Sequence, residues 1–320
     1  MISPRVLARL AAGAIALAAV PLVAGNDYYV NLGSQVLIAA IFAMSLNILV
    51  GYGGMTSLGH AAYLGVSAYA TAWLAQRMGM GPLAAGACAL AITTLLAAFY
   101  GVLALRASGL GFLMITLALG QILWGLAYRW VAVTGGDNGL SGLARPAPFG
   151  WDLGSATAFY YFSLAVFGIA FAAIGLFVGS PFGASLKGAR DQPRRMRALG
   201  YNVWLIRWIS FVVSGFWGGV AGLLYVYYNN FISPHALSLT QSAEALLMVI
   251  AGGPATLLGP LVGAALVIVM KNVVSAYVER WTLLLGAVFV AIVIFLPDGL
   301  VPGAQRLWAR WASRRGKGGR

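Results

Sequence analysis

Long apolar runs separated by short polar breaks fill residues 6–178 and 208–297 of the chain. Ten hydrophobic segments are legible, at about 6–24, 32–50, 56–76, 82–104, 110–131, 157–179, 207–228, 238–252, 259–278 and 281–297. A helical crossing of the hydrocarbon core takes about 20 residues, with a range of roughly 17–25, so most of these runs are long enough to span. They are continuous, unlike the short alternating segments of a transmembrane barrel. The pattern predicts an all-α, polytopic helical membrane protein. The eighth segment is short and the third is rich in Gly, Ser and Thr. Either is open to being broken or re-entrant, which is tolerated only where the backbone is buried in protein or lines a cavity.

The one long polar interruption, residues 180–207, adds a surface element to this picture. It holds Lys187, Arg190, Arg194, Arg195, Arg197 and Arg207 against the single acid Asp191, a local net charge of +5. Such an excess of basic residues marks a cytoplasmic loop. Ser180 followed by Pro181 reads as an N-cap and a first-turn proline. Asp191 is placed to cap a second short helix with Pro193 in its first turn, and Gly200 stands where a glycine stop belongs. Two short surface helices are expected, not a floppy linker. Two roles stay open for them: transmitting force from a soluble partner, or setting orientation and touching lipid.

Orientation follows from the remaining charges. With the N-terminus inside and ten alternating crossings, the cytoplasmic segments hold fifteen basic residues: Arg5, Arg9, Arg106, the six of the long loop, Arg306, Arg310, Arg314, Arg315, Lys317 and Arg320. The opposite side holds four, Arg77, Arg129, Arg145 and Arg280, while Lys271 lies within a span. This asymmetry predicts that both termini are cytoplasmic. The longest segment on the other side, 132–156, is rich in Gly and Pro and reads as turns. Arg5 and Arg9 ahead of an apolar stretch have the look of a signal peptide. With so many spans following, an uncleaved first helix is expected.

Composition narrows the class further. Of 320 residues, 61% are hydrophobic and 8% charged, against about 25% charged in a typical soluble domain. The net charge of +13 does not point to nucleic acid, because the basic residues are confined to loops and tails, where anionic headgroups and orientation account for them. Cys88 is the single cysteine, which excludes an intrachain disulfide and a Cys-based zinc cluster. Its place in an apolar run predicts a small buried hydrophobe. There is no G-x-x-x-x-G-K-[ST] phosphate loop and no HExxH or G-x-S-x-G motif. No metal, cofactor or catalytic residue is expected in this chain, and any ATP hydrolysis must reside on another subunit.

A few polar residues inside apolar segments are the candidates for chemistry. Glu244 is the sharpest, since a carboxylate at membrane depth costs about 2.5–3.5 kcal/mol and normally faces a cavity or a partner. Lys271 is placed to pair with it or to snorkel. His60, with Ser57 and Tyr63 nearby, reads either as a packing and hydrogen-bonding group or as a pathway residue. Thr134–Asn138 reads as a glycine turn, or as a nest of backbone N–H groups that meets a carboxylate. The glycines at 215, 218, 219 and 222 suit close helix packing. Tyr225, Tyr227 and Tyr228 suit an interfacial aromatic belt.

Specific blocks of sequence carry a resemblance. Residues 46–65, LNILVGYGGMTSLGHAAYLG, continuing through Ala68 and Tyr69, resemble the LivM-type permease of bacterial branched-chain amino acid ABC importers. So do GFLMITLALGQ at 111–121 and TGGDNGLSG at 134–142. Further blocks are Ser233-Pro234, EALLMVIAGG at 244–253, Leu258-Gly259-Pro260 and Pro297–Leu300. SPFGASLKGARDQPRRMRALGYN at 180–202 is similar to that family's cytoplasmic coupling loop. The resemblance runs from about residue 30 to 303.

The family resemblance implies a permease subunit that alternates access, working with a LivH-like second permease, two cytoplasmic ATPases that hold ATP and Mg, and a periplasmic solute-binding protein. It implies a transmembrane domain over 1–303 with its coupling loop at 180–207 and a basic cytoplasmic tail at 304–320. It implies a multi-pass protein of the bacterial inner membrane. Contacts to the ATPase are implied for Ser180, Gly183, Lys187, Arg190, Pro193, Arg194, Arg197, Ala198, Leu199 and Gly200. Pathway candidates are Asn47, Ser57, His60, Tyr63, Thr116, Gln121 and Glu244. Gly135, Gly136, Asp137 and Asn138 form the candidate external loop for the binding protein. One departure stands out: where the family loop has a Glu followed by small residues, this chain has Pro193, Arg195 and Met196, so contacts made by that Glu do not carry over.

Branched-chain amino acids are the default substrate, with urea, amides and other small solutes as the alternative within the same machine. An ATP-independent secondary transporter using Glu244 is a second class of function. An intramembrane enzyme would need a paired nucleophile and base, and none is found.

Overall fold

A computed structural model describes residues 13, 15–23, 25–142, 145–146, 152–278 and 280–306. The remainder of the first predicted segment and Arg5, Arg9, Arg310, Arg314, Arg315, Lys317 and Arg320 lie outside the described residues.

The helices follow the apolar runs and begin at residues suited to begin them. Helix α1, Asp27–Asn47, starts at Asn26, whose side chain accepts from the Tyr28 amide at 3.1 Å, and continues through a π-turn, Ile48–Tyr52. Helix α2 is Ala61–Arg77, α3 is Pro82–Ala104 with its proline in the first turn, and α4 is Leu110–Arg129. Helix α5, Ala156–Gly179, is capped by Ser155. Helices α6, Pro181–Asp191, and α7, Pro193–Ala198, make a hairpin leading into α8, Val203–Asn229, capped by Asn202. Helix α9, Leu239–Gly252, is capped by Ser238; α10 is Gly259–Asn272 and α11 is Trp281–Phe295. Two-residue strands β1, Leu140–Ser141, and β2, Phe231–Ile232, pair antiparallel and tie the 131–142 loop to the end of α8.

Among the described residues, six helical segments have the length and apolarity to cross a bilayer, or seven if the bent pair Thr282–Phe295 and Leu300–Arg306 makes one span. The short eighth segment is a 14-residue helix, α9, roughly 21 Å long at 1.5 Å per residue. The third segment starts late and is not interrupted further on: residues 53–60 are non-helical, and α2 runs unbroken from Ala61 to Arg77. Most of this stretch is buried, with Gly54 and Thr56 exposed, and amides at its end find side-chain partners. Leu58 donates to Thr116 Oγ1 at 3.3 Å and Ala61 to Ser242 Oγ at 2.9 Å.

Helix α1 is the central element, packed against α5, α8, α9 and α10, while α2 and α3 pack on the other side of α8. Lipid tails are as apolar as leucine, so helices in a membrane associate by close packing and hydrogen bonds rather than by hydrophobic exclusion. The α8 glycines serve that end. A Cβ on Gly222 would overlap the Leu64 carbonyl of α2, and one on Gly215 would overlap Ala97 of α3.

Three expectations change. Cys88 is exposed on the outer surface of α3, on a stripe with Ile92, Leu95 and Phe99, because α3 is apolar all round and its hydrophobicity carries no phase. Tyr225, Tyr227 and Tyr228 turn inward and do not form an aromatic belt. Tyr227 is buried and donates to the Pro82 carbonyl at 2.6 Å, and Tyr228 accepts from Gln35 Nε2 at 2.9 Å. The polar loop ends at Asn202, and Arg207 sits one turn inside α8, where it donates to the Ala189 carbonyl at 3.1 Å.

Candidate functional site

The chain folds so that its connections fall on two faces. The α6–α7 hairpin shares one face with the π-turn of α1, the α3–α4 connection and the α9–α10 connection. The 131–142 loop, the end of α8 and the start of α9 lie on the opposite face.

The hairpin is built from the signals in its sequence, with one exception. Ser180 Oγ accepts from the Gly183 amide at 3.3 Å, Pro181 occupies the first turn, and Gly200 ends the second helix with φ of 86°. The exception is Asp191, which closes α6 and pairs with Arg190 at 2.7 Å instead of capping α7; Gln192 holds the cap position without a side-chain bond. Helix α6 is keyed into the bundle through buried Gly183, Leu186 and Ala189. Arg190 Nη1 donates to the Gly51 carbonyl at 2.6 Å, and Lys187 Nζ stands 5.4 Å from the Tyr52 ring centroid. No residue of α7 is buried, so Arg194, Arg197, Ala198 and Leu199 are presented outward, with Pro193 half-buried at the joint. One helix is anchored and the other is offered.

The pathway candidates do not form one site. Asn47 is buried and clamps the chain ahead of α10, donating to the Thr256 carbonyl at 2.8 Å and accepting from the Ala255 amide at 3.1 Å. His60 is sealed: Nε2 lies 2.7 Å from Ser45 Oγ, and its ring stacks on Phe42 with Tyr63 edge-on. The Ser45 hydroxyl has one proton and gives it to the Phe42 carbonyl at 2.7 Å, so it accepts from His60 Nε2–H. Nδ1 is then buried with no partner among the described residues. Ser57 and Thr116 bond backbone in the 57–61 break and α4. Gln121 lines a separate cleft with Tyr128, Asp137 and His235.

Glu244 is the candidate that faces open space. Its carboxylate receives both bonds from Lys271 Nζ, at 3.1 Å each, between α9 and α10. The pair lines a cavity of about 200 Å³ toward the opposite face, between α1, α8, α9 and α10. The Lys271 side chain is 36% exposed and that of Glu244 11%. Gln35, Asn272 and Tyr228 form its polar rim, with Asn272 Nδ2 donating to Gln35 Oε1 at 3.0 Å. Gln35 and Asn272 escaped the sequence reading. A polar residue near the end of each apolar run was their only signal.

In the 131–142 loop, Gly135 and Gly136 have positive φ and spend their amides inside the turn, on the Val131 carbonyl at 3.0 Å and on Thr134 Oγ1 at 3.2 Å. Asp137 and Asn138 are exposed. Arg145, which the sequence marked only for orientation, binds this side together: it donates to the carbonyls of Leu153, Gly154, Tyr227 and Tyr228 and lies over the Phe159 ring.

Helices of this length and apolarity around a charged cavity place the chain among polytopic α-helical membrane proteins. The family described as "Branched-chain amino acid transport system / permease component" matches residues 28–293, and the chain belongs to that family. It is similar to the high-affinity branched-chain amino acid transport system permease protein LivM of Salmonella typhimurium strain LT2, with 27% identity over 301 residues, covering 85% of this chain and 70% of the relative. The LivM protein of Escherichia coli K12 gives 27% over 300 residues with the same coverage. No solved structure matches. The membrane-subunit class expected from the sequence is therefore established.

Proposed function

We propose that this chain is a membrane-spanning subunit of an ATP-driven, binding-protein-dependent importer of branched-chain amino acids in the bacterial inner membrane. Its partners in this reading are a LivH-like permease, two cytoplasmic ATPases carrying ATP and Mg, and a periplasmic solute-binding protein. The transmembrane domain covers 1–303 with about ten hydrophobic segments, both termini are cytoplasmic, and 304–320 is a basic tail. The observation that carries the reading is the hairpin, in a chain of this family that lacks a phosphate loop of its own. Its α6 is locked to α1 and α8, and its α7 is presented to a partner. The excess of basic residues on the hairpin face supports placing that face in the cytoplasm. On the other side, Asp137 and Asn138 supply exposed polar contacts for the binding protein. The pairing of Glu244 with Lys271 supports this reading over an ion-coupled one, because the carboxylate already has a cationic partner within the chain and no coupling ion is needed to balance its charge.

The test is reconstitution with all partners in liposomes and uptake of radiolabelled leucine. ATP-dependent uptake that disappears without the binding protein is expected. Uptake indifferent to ATP would overturn the reading. ATPase stimulation only by the binding protein with urea or an amide would keep the machine and change its substrate.

A further inference from the structure

We propose that the cavity beside Glu244 and Lys271 is a binding site, inside the permease chain itself, for a free α-amino acid with an apolar side chain. Glu244 receives the ammonium and Lys271 the carboxylate. The inference rests on the importer reading above and adds a site to it.

The cavity combines three features that such a ligand needs. First, it offers one negative and one positive group side by side, with Nζ 3.1 Å from both carboxylate oxygens. An ion pair that only cements α9 to α10 would need no open space on its flank, yet this one borders a cavity of about 200 Å³ and leaves the Lys271 side chain 36% exposed. A zwitterion entering between the two groups gives each a new partner of opposite sign, so no net charge is added at membrane depth. A lone amine or a lone carboxylate would add one, at the cost that applies to unpaired charges in a membrane. Second, the rim is held in place. Gln35 is fixed between Asn272 and Tyr228, which orients its amide before any ligand arrives. Third, the far wall is apolar, formed by Ile38, Phe42, Leu64, Met248 and Ile268. Most small-solute sites share this make-up, a mainly apolar pocket with a few placed polar groups.

His235 borders both this cavity and the neighbouring cleft lined by Asp137 and Gln121, so the two spaces lie on either side of one residue on the face that carries the 131–142 loop.

The experiment uses the complete transporter in nanodiscs without its binding protein, with tritiated leucine and equilibrium binding as the readout. Saturable binding is expected, with isovalerate and isopentylamine, each lacking one charged group, competing at least tenfold more weakly than leucine. The Glu244→Gln/Lys271→Met double variant removes both charges at once, which leaves no unpaired ion to disturb folding. It is expected to keep the thermal unfolding temperature and to lose at least tenfold in leucine affinity. Ala39 also lines the cavity, and Ala39→Phe takes up its space while keeping both charges; it should weaken leucine about tenfold and alanine less. A folded double variant that binds leucine as the native chain does, or analogues that compete as well as leucine, would overturn the site. Failure of the importer reading looks different. Native complex that binds leucine here but shows no ATP-dependent uptake refutes the importer and keeps the site. ATP-driven uptake without binding at this cavity does the reverse.

Discussion

At the scale of single residues, the fold depends on contacts that leave no room for change. Gly222 is such a position, since any side chain there meets the α2 backbone at Leu64. Gly222→Leu is expected to cost about 1–3 kcal/mol or more by overpacking, seen as a lower unfolding temperature of the purified complex; an unchanged temperature would mean α8 and α2 do not meet here. The ion pair gives a second case. Lys271→Met alone strands Glu244 at 8% exposure and should destabilise by about 1–3 kcal/mol, less than the roughly 3–5 of a fully enclosed pair because the stranded carboxylate still borders the cavity. Adding Glu244→Gln should recover most of that loss, which a thermal series on the three variants reads directly. Part of this was legible in the sequence, where the spacing of the α8 glycines already pointed to close helix packing. Glu244 and Lys271 were legible too, because charges interrupt apolar runs. The cavity was not, because it joins residues near 35, 228, 244 and 271 whose meeting depends on how four helices pack.

Elements were far more legible. Apolar runs marked α3, α4 and α5 to within two residues, and Ser180, Pro181, Pro193 and Gly200 marked both hairpin helices. Both hairpin helices are short and basic, at net charges of +1 in α6 and +3 in α7, and the sequence reading did not decide which of them the bundle buries. That division makes a prediction. Leu186 of α6 is fully buried, so Leu186→Ala should cost about 2–4 kcal/mol of stability in thermal unfolding. Leu199, just after α7, is 65% exposed. Leu199→Ala should change stability by no more than about 0.5 kcal/mol while lowering the ATPase stimulation that reaches the partner subunits. Equal effects of the two changes on stability would contradict the anchored-and-offered arrangement.

At the scale of the whole molecule, sidedness is the property that function demands. The chain has one cysteine, Cys88, so Cys88→Ala gives a background without thiols. Asp137→Cys should react with an impermeant maleimide in intact cells, and Arg194→Cys only after permeabilisation; the opposite pattern would invert the proposed orientation. The two faces also stand in mechanical contact through one rod. Helix α1 accepts the Arg190 bond at Gly51 and lines the cavity at Gln35, Ile38 and Phe42. Those ends are roughly 24 Å apart at 1.5 Å per residue. In the proposed importer the two ends obey thermodynamic reciprocity: whatever factor the proposed ATPase imposes on affinity in the cavity, an occupied cavity must impose on the affinity of that ATPase for the hairpin. Leucine affinity measured with and without the ATPase, set beside ATPase affinity measured with and without leucine, should yield the same ratio. A ratio of one in both would mean that hairpin and cavity are uncoupled, and any other shared value would give the coupling free energy between the two faces.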